Sequence, residues 1–142
     1  MTGGIEYSEA VAQIICDRIA SGESVRSISR SSGMPHEVTI YRWVADDREG
    51  FRARYTRARE AQAERMADEI LEIADDGSND WMEFEGKTLV NHEYINRSRL
   101  RVDSRKWLMA RLAPKKWGEK LDVEQNGTLV VKVMRFGNNP SE

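Results

Sequence analysis

The sequence RSRLRVDSRKWLMARLAPKKWGEK, residues 97–120, predicts a helix that ends at Pro114 and mixes cationic with apolar side chains. Proline ends a helix because it has no N–H to donate and its ring clashes with the preceding turn. A helix packed on one partner needs a single apolar stripe, but here apolar residues occupy more than one side. We therefore expect this helix to pack on its own chain and on a neighbouring copy. The candidate oligomerisation residues are Leu100, Val102, Trp107, Leu108 and Leu112.

Length and composition limit the kinds of protein this chain can be. Its 142 residues, 32 % of them charged and with a formal net charge of −2, suit one or two small globular domains. The single cysteine, Cys16, rules out an internal disulfide and fits a reducing cytosol. No apolar run approaches the roughly 20 residues that span a bilayer, and the first residues lack the basic and apolar segments of a signal peptide. We therefore expect no membrane association.

The first 50 residues predict three short helices. Ser8 can cap the first helix, whose apolar face would consist of Val11, Ile14, Ile15 and Ile19. Ser24 can cap a second, shorter helix. Gly33-Met34-Pro35 breaks the chain because glycine readily adopts a left-handed turn, and a third helix follows over residues 36–45. Three short helices whose last two are joined by a tight turn match a helix-turn-helix.

The third helix predicts a polar face that could bind DNA. Its buried residues would be Ile40, Trp43 and Val44. The outward side chains would then be those of His36, Glu37, Thr39, Tyr41 and Arg42. In a helix-turn-helix this helix meets the major groove, where arginine suits a guanine edge or a phosphate. A module that binds only protein is the alternative, because the acidic balance of residues 1–50 weakens phosphate attraction. Several modules that each bind DNA weakly would together bind it with a higher overall affinity.

The middle of the chain predicts two long helices with a short segment between them. From Phe51 to about Asp75, apolar or small residues recur at every third or fourth position, which indicates one helix. The basic helix, at about 94–113, would return antiparallel along it. Residues 81–90 predict either a hairpin that turns at Glu85-Gly86-Lys87 or an ordered loop. Trp81 and Phe84 are too apolar to remain in water, so we expect them to be partly covered.

The end of the chain predicts a β-hairpin that is too small to stand alone. An alternating segment precedes Asn126-Gly127, which favours a type I′ turn, and residues 128–136 are β-branched and apolar. A lone two-stranded hairpin is at best marginally stable in water. We expect hairpins from several copies to complete one sheet or barrel, with Val131 and Val133 on a shared face. Folding onto the chain's own helices is the alternative. Residues 137–142 predict a flexible tail.

The sequence predicts neither catalysis nor a bound cofactor. It lacks the GxxxxGK[ST] loop that cradles nucleotide phosphates. His36 and His92 lie far apart, and no cysteine and histidine group has the spacing of a metal site. Asp103 lies among basic residues of the predicted helix, so we expect it to form salt bridges rather than act as a base.

The segment from Arg99 to Trp107, followed by Arg111, Pro114 and Lys115 to Lys120, resembles the pattern of bacteriophage terminase small subunits. These are the DNA-recognition subunits of genome-packaging motors. The order of elements over residues 8–136 is also similar to that family: a small helical module, a long helix, a basic helix and a short β tail.

The resemblance implies a non-enzymatic, ring-shaped homo-oligomer of more than four subunits that binds double-stranded viral DNA and the terminase large subunit in the host bacterial cytoplasm. It implies a mainly α fold with an N-terminal helix-turn-helix, a long antiparallel helical hairpin for oligomerisation, and a C-terminal β-hairpin in an intersubunit β-barrel. The corresponding domains are residues 1–50, 51–116 and 117–136, with a tail at 137–142. Thr39, Tyr41 and Arg42 would contact DNA, with Arg26 and Arg30 as phosphate contacts.

Two other classes of protein could share these features. A transcriptional regulator would use the same helix-turn-helix but form a dimer on a two-fold site. An assembly scaffold would form oligomers without binding DNA.

Overall fold

Six α-helices and one two-stranded antiparallel sheet make up the part of the chain that the computed structural model describes, residues 4–119. The elements are α1 (Glu9–Ala20), α2 (Val25–Ser29), α3 (Glu37–Ala45), a 3-10 turn (Arg48–Gly50), α4 (Phe51–Asp75), β1 (Trp81–Phe84), β2 (Lys87–Val90), α5 (His92–Leu112) and α6 (Pro114–Trp117). The mainly α class is confirmed. The predicted C-terminal hairpin, with Val131 and Val133, lies outside the described residues.

Serine hydroxyls begin the first two helices, as predicted. Ser8 Oγ accepts a hydrogen bond from the N–H of Val11 at 3.2 Å, and Ser24 Oγ accepts one from Ser27 at 3.1 Å. Each hydroxyl satisfies a backbone donor that the first helical turn leaves without a partner. At the other end of the fold, α5 ends before Pro114, which begins the separate helix α6.

The first core lies where α1, α2 and α3 pack together and on the N-terminal half of α4. Its fully buried large side chains are those of Ile15, Ile19, Val25, Ile28, Ile40 and Phe51. The ring of Phe51 meets those of Tyr7 and Trp43 edge-on, with centroids 6.1 and 5.9 Å away. This core therefore includes the start of α4, next to the domain boundary predicted at residue 50, and that boundary stays a prediction.

The buried face of α1 is rotated from the predicted one. Ala12 and Cys16 are buried beside the two predicted isoleucines of the core, whereas Ile14 is 43 % exposed. The prediction followed only the large apolar residues. Ala58 of α4 is buried in the same core, and small side chains on both helices let their axes come close.

A second, smaller core lies between α4 and α5, which run antiparallel as predicted. Its buried members are only Ala63, Met109 and Ala113. Across the same interface, Arg105 Nε donates to Glu69 Oε2 at 2.7 Å, and both side chains are mostly buried. The pair fixes the register of the two helices because a charge-assisted hydrogen bond is stronger and more directional than a neutral one.

Asp103 forms no salt bridge with the described basic side chains of α5. Its side chain is exposed and forms no ion pair within residues 4–119, so the predicted salt bridges are not found there. Glu69 of α4 takes this role instead, accepting from Arg105 and lying 3.5 Å from Arg65.

Strands β1 and β2 form a hairpin that stands apart from the helices. Trp81 pairs with Val90, and the turn at Glu85 and Gly86 has φ values of +49° and +73°. A turn with positive φ at both central residues matches the right-handed twist of a hairpin. The hairpin alternative for residues 81–90 is therefore confirmed. Among the described elements β1 and β2 contact only each other, and the rings of Trp81 and Phe84 are 62 % and 58 % exposed, so the chain itself gives them little of the expected cover.

Candidate functional site

The outer surface of α3 combines an apolar, an aromatic and a cationic side chain. Val38 is 55 % exposed, Tyr41 is 48 % exposed, and Arg42 is also exposed. Residues three and four positions apart lie on the same side of a helix, so these three form one face. Val38 was not among the predicted DNA contacts, although its spacing from Tyr41 and Arg42 places it on their side of the helix. Thr39 is half-buried at the flank of this face.

The position of α3 is fixed at both ends. The imidazole Nδ1 of His36 accepts from the N–H of Val38 at 3.3 Å and caps the first turn. At the last turn, Arg52 of α4 donates to the carbonyl oxygens of Val44 and Ala45 at 3.0 and 2.6 Å. A cation at this end also suits the negative end of the helix dipole. Arg52 thereby secures α3 to α4.

A second arginine secures the turn between α2 and α3. The guanidinium of Arg18 binds both carboxylate oxygens of Glu23, at 2.9 and 2.6 Å, and donates to Ser31 Oγ at 2.9 Å. The hydrogen bond from Arg18 holds the pKa of Glu23 below its usual value, because it favours the ionised carboxylate. Helix α1 is thereby tied to the segment that leads into α3.

The arginines near α3 differ in whether a carboxylate lies beside them. Arg26 lies 3.9 Å from Glu37, so its charge is partly offset by the first turn of α3. Arg30 and Arg42 are exposed and form no ion pair with any residue that the structure describes. Of the three arginines predicted to contact DNA, these two are the better placed to meet phosphate, because no neighbouring carboxylate competes for them.

The only cysteine of the sequence is structural. Cys16 is buried in the first core, and burial raises the pKa of its thiol. A protonated, buried thiol is a poor nucleophile. Among residues 4–119, no group of three or more potential ligands could hold a metal ion, and no helix is long and apolar enough to cross a membrane.

A second surface, the α4–α5 groove, is apolar and open. It encloses about 950 Å³, and its lining includes Ala67, Ile70, Leu71, Lys106, Trp107, Met109, Ala110, Arg111 and Trp117. Leu71 is 63 % exposed and Trp107 is 58 % exposed. The guanidinium carbon of Arg111 lies 3.5 Å from the centre of the Trp107 ring, a cation–π arrangement that covers one face of the indole.

The predicted oligomerisation residues of α5 fall into two groups. Leu100 and Trp107 are more than half exposed, whereas Val102, Leu108 and Leu112 are half-buried. Leu71, on α4, was missed because its prominence depends on how far α5 covers α4. A single copy therefore leaves large apolar side chains in water, as expected of a helix with apolar residues on more than one side.

Solved structures place this fold among the terminase small subunits. Crystal structures of three single-substitution variants of the terminase small subunit gp1 from the bacterial virus Sf6 match with a TM-score of 0.66, covering 92 % of this chain and 99 % of theirs. Sequence identity is 34 % for two of them and 33 % for the third. No curated protein matches the chain significantly.

The sequence itself matches a family model described as bacteriophage Sf6, terminase small subunit-like, over residues 7–124. The chain belongs to this family, as the resemblance predicted. Membership gives it a role in phage genome packaging.

Proposed function

We propose that the chain is a non-catalytic terminase small subunit that binds viral double-stranded DNA through α3. It acts as a ring of more than four copies in the host bacterial cytoplasm and recruits the large ATPase/nuclease subunit to begin packaging. The observation that carries the proposal is that one chain presents two distinct surfaces. One is the Val38–Tyr41–Arg42 face on a firmly held helix, and the other is the open α4–α5 groove.

The side chains on α3 and α2 suit DNA in different ways. Arg42 can donate two hydrogen bonds to a guanine edge, and the methyl groups of Val38 can contact the methyl group of thymine. Tyr41 and Thr39 carry hydroxyls that can donate to phosphate, as can the guanidinium of Arg30. The helix is secured before DNA arrives, so binding does not have to include the cost of ordering it.

Each copy alone should bind weakly. Arg26 shares its charge with Glu37, so few free cations remain near α3 to release counterions from the duplex. Linking several copies raises the effective concentration of each module and so raises the overall affinity. Assembly through residues 51–116, together with a β element at 117–136, would bring several DNA-binding modules, residues 1–50, into one oligomer.

Replacing Arg42 tests the DNA role of α3. Arg42→Ala should weaken binding to a duplex carrying the packaging start by about tenfold or more, since a good bidentate contact is worth roughly 1–3 kcal/mol. The measurement is fluorescence anisotropy at two salt concentrations, with a native mass spectrum of each sample. Arg57→Ala is the matched control. It removes the same charge from an exposed arginine that lies beside α1 and not on α3.

Three results would count against the proposal. Unchanged affinity of Arg42→Ala would remove α3 from the DNA role. Equal losses for Arg42→Ala and Arg57→Ala would indicate only a general effect of charge. A dimer in the native mass spectrum would favour the transcriptional regulator over a ring.

A further inference from the structure

Glu37 places a carboxylate at the end of α3 that would meet DNA. It is the first residue of α3 and the acidic residue of its first turn. Tyr41 lies one turn further along, and residues four positions apart share one side of a helix. In a helix-turn-helix, the N-terminal residues of this helix contact base edges. Under the proposed function, a negative charge on α3 therefore approaches the groove of a polyanion.

The same carboxylate lies beside one of the two predicted phosphate contacts. Arg26 Nε, on α2, is 3.9 Å from Glu37 Oε2. The side chain of Arg26 is 71 % exposed, whereas that of Glu37 is 31 % exposed. The arginine can therefore turn towards a phosphate while the more enclosed carboxylate stays on α3. A duplex that binds Arg26 leaves the charge of Glu37 without its partner.

This ion pair is not what holds α3 in place. The pair that ties α1 to the turn before α3, Arg18 with Glu23, is bidentate, with distances of 2.9 and 2.6 Å. The contact between Arg26 and Glu37 is longer and involves a largely exposed arginine, and such pairs contribute little to stability. Arg52 already secures the last turn of α3. The position of Glu37 is therefore better explained by recognition than by folding.

We propose that Glu37 makes DNA binding selective by penalising incorrect sites. This inference rests on the DNA role of α3 in the proposed function. On an arbitrary duplex, the carboxylate competes with phosphate for Arg26 and repels the backbone, so binding is weakened. At the correct site, the amino group of a cytosine donates a hydrogen bond to the same carboxylate and offsets that penalty. Selectivity of this kind arises from a repulsive element as well as from favourable contacts.

Replacing Glu37 by glutamine tests this role, because glutamine keeps the shape and an acceptor oxygen but removes the charge. The full-length protein is titrated by fluorescence anisotropy onto a duplex carrying the packaging start and onto a scrambled duplex of the same composition. At about 0.1 M salt, Glu37→Gln should bind the scrambled duplex about fivefold tighter or more, since each freed cation steepens the salt dependence by about 0.9. Its affinity for the packaging start should rise less, so discrimination between the two duplexes should fall.

Two further variants separate the ion pair from a general effect of charge. In an Arg26→Gln background, Glu37→Gln should leave the salt dependence unchanged, because no arginine is released. Glu60→Gln removes the same charge from an exposed glutamate of α4 that forms no ion pair with the described residues, and it should change neither affinity nor discrimination. Melting curves and native mass spectra of all these variants should match those of the wild type, since the pair does not hold the fold.

Four results would overturn the inference. Equal gains on the two duplexes would show that Glu37 lowers affinity in general and does not select a site. Equal gains for Glu37→Gln and Glu60→Gln would indicate only the change in net charge. A steeper salt dependence for Glu37→Gln in the Arg26→Gln background would exclude release of the arginine. Unchanged affinity of Glu37→Gln for the scrambled duplex, with Arg42→Ala weakened, would overturn this inference but leave the DNA role of α3 intact.

Discussion

The two cores of the molecule differ in how much apolar surface they bury for themselves. Around α1, α2 and α3, the side chains of Ile15, Ile28 and Phe51 are completely buried. Between α4 and α5, the buried residues are two alanines and a methionine. Apart from Val38, the described large apolar side chains that are more than half exposed lie on α4, on α5 or on the hairpin that connects them, namely Leu71, Trp81, Phe84, Leu100 and Trp107.

This difference indicates that the two regions meet different requirements. The first has a packed aromatic and aliphatic interior, so it can present α3 in a fixed orientation without help from another copy. The second region buries too few large side chains to cover its own apolar surface. Contiguous apolar surface of this kind is typical of an interface, and it fits a subunit whose helical hairpin completes its packing only in an assembly.

The strongest test of the comparison is Phe51→Ala. Removing this fully buried ring should lower the free energy of unfolding by about 3–5 kcal/mol, because the site loses apolar burial and is left with a cavity. It would also remove the edge-on contacts that the rings of Tyr7 and Trp43 make with Phe51. The measurement is urea denaturation followed by circular dichroism. Tyr41→Ala is the control and should stay within about 0.5 kcal/mol of the wild type. A comparable loss for both variants would mean that the first core is not self-sufficient.

Trp107→Ala should have a smaller and different effect. The ring is more than half exposed in one copy, so its loss, with the Arg111 contact, should cost about 1 kcal/mol or less. Assembly stabilises the folded state by mass action, so the wild-type melting temperature should rise with protein concentration. In Trp107→Ala that dependence should be much weaker. A concentration-independent melting temperature for the wild type would show that the second region needs no partner.

Local signals in the sequence predicted most elements of the fold. Helix α4 begins at Phe51 and ends at Asp75 as predicted, because Gly50 and the Asp76-Gly77 pair break the chain on either side. The turn of the β1–β2 hairpin was also predicted, since glycine tolerates positive φ.

Contacts between helices were harder to predict. The buried side of α1 depends on the small residue Ala58 of α4, and the pairing of Arg26 with Glu37 depends on how α2 meets α3. Arg52 looks like any exposed helical arginine until the last carbonyls of α3 are placed beside it. Exposure of Tyr41 and Arg42 followed from helical periodicity alone, whereas the groove around Leu71 required the position of a second helix.

The smallest expected effect concerns the ion pair that secures the first region. Glu23 has a lowered pKa in the folded protein, chiefly because of its hydrogen bond from Arg18. The pair therefore stabilises the fold above the ordinary glutamate pKa near 4.5, and this contribution is lost as the pH falls through the lower folded value. Glu23→Gln should accordingly lower the melting temperature slightly at neutral pH and make no difference in stronger acid.

The effect is small because both side chains contact solvent, where water and salt screen the pair. Glu60→Gln is the matched control, since Glu60 is exposed and forms no ion pair with the described residues. Melting curves across the acid range would compare the two variants with the wild type. If Glu23→Gln and Glu60→Gln follow the same pH profile, the link between α1 and the turn before α3 does not depend on this carboxylate. The orientation of α3 would then rest on Arg52, on the buried core and on the hydrogen bond from Arg18 to Ser31.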